Sequence, residues 1–102
     1  MSEIRNILSK MKLLSNKYKG LKLKFFGLVI DSKYTGITWQ AKLTDGRELL
    51  IDYYLGGLSI GEGVDHVECR NNMEEVFELN LDREEDLTEK ELFRILKWEK
   101  VK

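Results

Sequence analysis

His66 and Cys69 stand three positions apart with Asp65 and Glu68 beside them. A thiol and an imidazole at that spacing suggest either half of a metal site or a nucleophile with its base. Zinc normally takes four ligands as two soft pairs, and no second His or Cys is present to supply the other pair. As a nucleophile Cys69 would need an electropositive, partly open setting, whereas neighbouring carboxylates raise a thiol pKa. The residues therefore point to a buried Cys69 in a short strand over 64–70, with no catalytic set, metal or cofactor.

The run Gly56-Gly57-Leu58-Ser59-Ile60-Gly61-Glu62-Gly63 raises phosphate binding, because backbone amides in a glycine-rich turn cradle anions. The lysine and hydroxyl residue that complete such a cradle are missing, and Glu62 would repel a phosphate. A connecting or partner-contact loop is expected instead.

Lys24-Phe25-Phe26-Gly27-Leu28-Val29 resembles the RNA-recognition-motif octamer at Lys24, Phe26, Gly27 and Val29. That octamer lies on a third strand, Phe25 replaces a glycine and Asp31 an aromatic, so core-strand aromatics are the expectation. Glu3, Asp31 and Gln40-x-Lys42 resemble a degraded PD-(D/E)xK nuclease constellation, in which clustered carboxylates hold a divalent metal and the lysine lies near the scissile phosphate. Gln40 stands where the second carboxylate belongs, which puts the metal site in doubt.

These residues need elements to carry them. Ser2 as an N-cap and Ile4, Ile7, Leu8, Met11 and Leu14 at three-and-four spacing predict an amphipathic N-terminal helix that Gly20 closes. From Leu21 the period becomes two, and a phase change around Phe25 to Gly27 suggests a bulge. Ile37, Trp39, Ala41 and Leu43, then Asp45-Gly46, then Leu49, Ile51, Tyr53 and Leu55, predict a hairpin. Residues 72–81 carry both a capping-box pattern and a strand alternation, and the strand reading is preferred. Thr88 and Glu91 form a capping box, with Leu87 and Leu92 at staple positions, so a last helix starts at Thr88. The expected fold class is α+β in a single domain, 1–102: an N-terminal helix, an antiparallel sheet of about five strands, and a C-terminal helix packed on one sheet face, with helices covering that face.

Residues 1–24 hold seven bases against the single acid Glu3, while residues 74–102 hold ten acids against six bases, so the net charge of −1 conceals a dipole. No whole-molecule attraction for nucleic acid follows, and electrostatic recognition needs a local patch. Apolar runs fall far short of the ~18 residues of a membrane span, and no apolar stretch follows the cationic start, so a cytoplasmic protein without membrane attachment is expected. The lone Cys69 fits a reducing compartment.

Trp39-x-x-x-Leu43, Gly46-Arg47 and Tyr54-x-Gly56 look like a hairpin pattern in small phage-encoded accessory proteins, mostly of unknown role. The resemblance covers about twenty residues and implies a viral origin, a host-cell cytoplasmic location and inhibition of a host protein; the charged tail departs from the family's usual C-terminal half.

The leading reading is a non-enzymatic protein–protein interaction module, presenting Trp39, Tyr53, Tyr54, Leu58, Gly56 and Gly57 to a protein partner, which includes a second copy as a homodimer. These side chains could equally complete the core. The alternative is nucleic-acid binding through Arg5, Lys10, Lys12, Lys17 and Lys19 on the cationic helix face, which a solvated helix face would also explain. The degraded nuclease comes third.

Overall fold

A computed structural model describes residues 11–13, 15–29, 36–54, 57–79 and 88–101 of the chain. They form a small α+β domain. Its strands are β1 (Met11–Leu13), β2 (Lys22–Val29), β3 (Ile37–Leu43), β4 (Glu48–Tyr54), β5 (Gly57–Gly63), β6 (Glu74–Leu79) and β7 (Glu99–Lys100), and its helices are α1 (His66–Asn71) and α2 (Glu89–Leu96). One sheet runs in the order β1-β6-β5-β4-β3-β2-β7. Every neighbouring pair is antiparallel except β2 with β7, so the sheet is mixed and has seven strands rather than about five.

The hairpin forms where the alternation places it, pairing Trp39 with Ile51 and Ala41 with Leu49. Its loop is Thr44-Asp45-Gly46. Gly46 donates to the Leu43 carbonyl at 3.1 Å and has φ +98°, and Leu43 donates to the Arg47 carbonyl at 2.8 Å. This is a three-residue turn closed by a left-handed position that glycine takes without strain. The expected bulge lies in β2, where the register against β3 shifts between Leu23 and Phe25.

Faces alternate along strands, so opposed residues share one. Trp39, Ala41, Leu43, Leu49, Ile51, Leu58 and Ile60 line one face and are buried with Leu92, Ile95 and Leu96 of α2 and with Trp98 and Tyr18. Trp98 ties the segment after α2 to the turn at 17–20, its indole N–H donating to the Tyr18 carbonyl at 2.5 Å. Phe26 sits centrally in this layer, 4.9 Å from the Phe93 ring edge-on and 6.0 Å from Trp39. α2 starts at Thr88 through the expected capping box.

Four expectations are corrected. Residues 57–63 are strand β5, not a loop: Gly57, Ser59, Gly61 and Gly63 fall on one face and Leu58 and Ile60 on the other. The segment expected as a short strand at 64–70 is instead α1, capped by Asp65, whose carboxylate accepts from the Glu68 amide at 2.9 Å. α1 lies on the face opposite α2, over Gly61 and Gly63, so the helices do not share one face. The helix expected from Ser2 lies outside the described residues up to 10, but at 11–13 the chain is strand β1, set against Leu79, Glu78 and Phe77, and 17–20 is a turn. Tertiary pairing with β6 overrides the local three-and-four spacing there. The strand favoured within 72–81 is β6.

Candidate functional site

The described residues among those expected to dock a partner are mostly buried. Trp39 is 4% exposed and Leu58 fully buried, both in the α2-face core, and Tyr53 packs half-buried against that core. Gly57 pairs with Tyr54 and Glu78, and the Glu75 carboxylate covers its Cα. Gly56 and the Tyr54 side chain lie outside the described residues. Trp39 and Leu58 thus lie in the core.

The cationic set is dispersed as well. Arg5 and Lys10 lie outside the described residues, and Lys12 falls on β1. Lys17 stands 5.3 Å above the Tyr18 ring and 3.8 Å from the Glu74 carboxylate. Lys19 is half-buried in the turn. Tyr18 and Glu74 both raise the Lys17 pKa, and burial raises that of the Tyr18 phenol.

Lys17, Tyr18, Arg47, Glu62 and Glu74 border an open cleft of about 540 Å³. Its charges are already matched. Arg47 reaches Glu62 at 2.5 Å and Asp45 at 2.8 Å, and hydrogen bonds from Arg47 hold the Asp45 carboxyl below its ordinary range.

His66 opens α1 in solvent while Cys69 is buried, its Sγ 3.3 Å from the Glu48 carbonyl. Burial, helped by Glu48 and Asp65, pushes the thiol up to about 11. Of the nuclease-like set, Glu3 and Asp31 lie outside the described residues, and Gln40 donates to the Glu48 carboxylate at 2.8 Å. Among the described residues no three His, Cys, Asp or Glu side chains are grouped to hold a metal, and no helix is long and apolar enough to cross a membrane.

β2 is the surface that sequence reasoning missed. On its outer side the parallel strand β7 pairs only with Lys22 and Leu23, and Val101 donates to the Leu23 carbonyl at 2.7 Å. Beyond the bulge, no described residue covers the outer side from Phe25 to Val29. Two large apolar side chains are exposed here, Phe25 at 45% and Leu28 at 68%. Phe25 lies across Gly27, where an added Cβ would come within 2.9 Å of the ring carbon Cζ. Leu28 projects on the α2 face, opposite Trp39 in the register. The adjacent aromatics Phe25 and Phe26 were the available signal, since neighbouring strand residues point to opposite faces and only one of the two can enter the α2-face core.

Among the described residues, such an edge offers unpaired main-chain groups between apolar side chains on both faces. It can bind an extended strand. Comparison of the chain with protein-family models, curated proteins and solved structures gives no match.

Proposed function

We propose that this chain is a non-enzymatic protein-interaction module that receives its partner along β2. The observation that carries the reading is the outer side of Phe25 to Val29, open among the described residues, with Phe25 and Leu28 exposed on a strand whose other side is fully engaged by β3. An edge of this kind is normally blunted by charge, proline or a covering segment. The Lys24 bulge blunts only its beginning, and the five residues after it hold no charge and no proline. On the hairpin's resemblance to phage accessory proteins, the partner would be a host protein met in the cytoplasm.

The test compares the full chain with a Phe25→Lys/Leu28→Lys variant for retention of proteins from lysate of the producing cells with and without nuclease treatment, and for self-association by light scattering. Both side chains are exposed, so the variant should keep its melting temperature within a few degrees. A partner or an oligomer lost specifically in the variant supports the reading. Identical behaviour of the two proteins, or retention that disappears on nuclease treatment alone, would overturn it, the latter in favour of nucleic acid.

A further inference from the structure

We infer that the partner of β2 is the β2 of a second copy, paired antiparallel about a two-fold axis at Gly27; this rests on the interaction reading and specifies its occupant. A two-fold axis that extends a sheet runs perpendicular to it, so opposed residues must share a face. Because faces alternate, opposed residue numbers then have an even sum. Centring on Gly27 sets Phe25 against Val29 and Phe26 against Leu28, and uses the whole open segment. Centring on Phe26 would require Leu23, which β7 already engages, and centring on Leu28 would run past Val29.

The chemistry is self-complementary in that register. Phe25 to Val29 carries no charge, so nothing like-charged is opposed. The two copies of Lys24 would lie ~20 Å apart along the strands, well beyond the ~8 Å screening length at physiological salt. On the α1 face, two facing glycines leave a shallow floor for the Phe25 rings, each of which already lies over its own Gly27. On the α2 face, Leu28 of each copy would meet the partner's Phe26 position, beside the aromatic group of Phe93 and Trp98. Five residue pairs bury less than the ~1,600 Å² of a standard interface, so the dimer should be reversible and concentration-dependent.

Light scattering from micromolar to near-millimolar protein should show the mass rise toward twice that of the monomer, and Leu28→Lys should hold it at the monomer. Register is read by mild oxidation in a Cys69→Ser background. Gly27→Cys would place two Cα atoms ~4.5–5.5 Å apart, within disulfide reach, and should cross-link once the Phe25 ring swings off the new Cβ. Val29→Cys, ~13 Å from its own copy, should not. A monomeric mass throughout together with no Gly27→Cys cross-link would overturn the inference, as would equal cross-linking at both positions. If a different protein is then captured in a Phe25- and Leu28-dependent manner, the interaction reading stands without the second copy. If the edge variants change neither mass nor capture, both fall.

Discussion

The carbonyl of Cys69 rests directly against the Cα of Gly61, so α1 packs on β5 with backbone touching backbone. A Cβ at Gly61 would collide with that oxygen and come within 2.7 Å of the Met73 Sδ, while one at Gly63 would meet Glu68 at 2.7 Å. Helix and strand can approach this closely only where the strand has no side chains beneath the helix.

Gly61→Ala should therefore destabilise the domain by about 1–3 kcal/mol, because a backbone carbonyl cannot step aside as a flexible side chain can. The same change should lift α1 and expose Cys69, raising its reaction rate with a thiol reagent under native conditions. Gly20→Ala is the contrast: nothing lies within 4 Å of its added Cβ, and only its φ of +73° is strained. It should lower stability without altering Cys69 reactivity. Equal thiol reactivity in both variants would argue against the packing described.

This contact also explains why part of the fold was hard to read. Gly56 to Gly63 looks like a loop by propensity, since glycine has none for a strand. The decisive pattern is that small residues recur at every second position, 57, 59, 61 and 63, around Leu58 and Ile60. That alternation marks a strand roofed by another element. α1 was legible in Asp65-x-x-Glu68, the same kind of N-terminal signature that correctly placed α2 at Thr88, but only six residues follow and their apolar pattern is too short to establish a period. The Asp45-Gly46 hairpin was legible because turn chemistry and alternation agree. β1, β7 and the β2 edge were not, because each is defined by a partner distant in sequence.

Asp52 joins three elements. Its Oδ1 accepts from the Thr38 hydroxyl at 2.9 Å and its Oδ2 from Arg70 at 2.5 Å, linking β3 and β4 to α1 on a largely buried surface. Arg70→Ala should cost about 2 kcal/mol, since it leaves a desolvated carboxylate short of a charged donor. Thr38→Val should cost about 1 kcal/mol, and because both donors share one carboxylate the pair should depart from additivity by more than ~0.5 kcal/mol. Urea denaturation of the four proteins measures this; strictly additive losses would show that the two contacts act separately.

The start of α2 rests on a reciprocal cap. Thr88 Oγ1 accepts from the Glu91 amide at 3.2 Å, and the Thr88 amide donates to Glu91 Oε1 at 2.8 Å, with the Glu91 side chain itself buried. Thr88→Ala should lower stability by about 1 kcal/mol, and Thr88→Ser should restore most of it because the hydroxyl returns. If Ser proves no better than Ala, the threonine methyl rather than the cap is responsible.

Cys69 ties stability to alkaline pH. Its thiol moves from 9.0 to about 11 on folding, chiefly through burial, with Glu48 and Asp65 adding repulsion. Above the lower value the unfolded chain releases this proton while the folded protein keeps it, so the unfolded state gains and stability falls as pH rises toward the upper value. At full effect the slope approaches ~1.4 kcal/mol per pH unit, and near the lower value, where the unfolded thiol is only half ionised, about half of that. Tyr18, also raised by burial, adds the same sign at higher pH, but it is present in both proteins of the comparison. Cys69→Ala should start less stable at pH 7 through lost packing and then lose less stability between pH 9 and 10 than the native protein does. Urea midpoints across that range decide the matter: parallel profiles for the two proteins would mean that the thiol ionises as readily in the folded state as in the unfolded one, and that α1 does not seal it against the sheet.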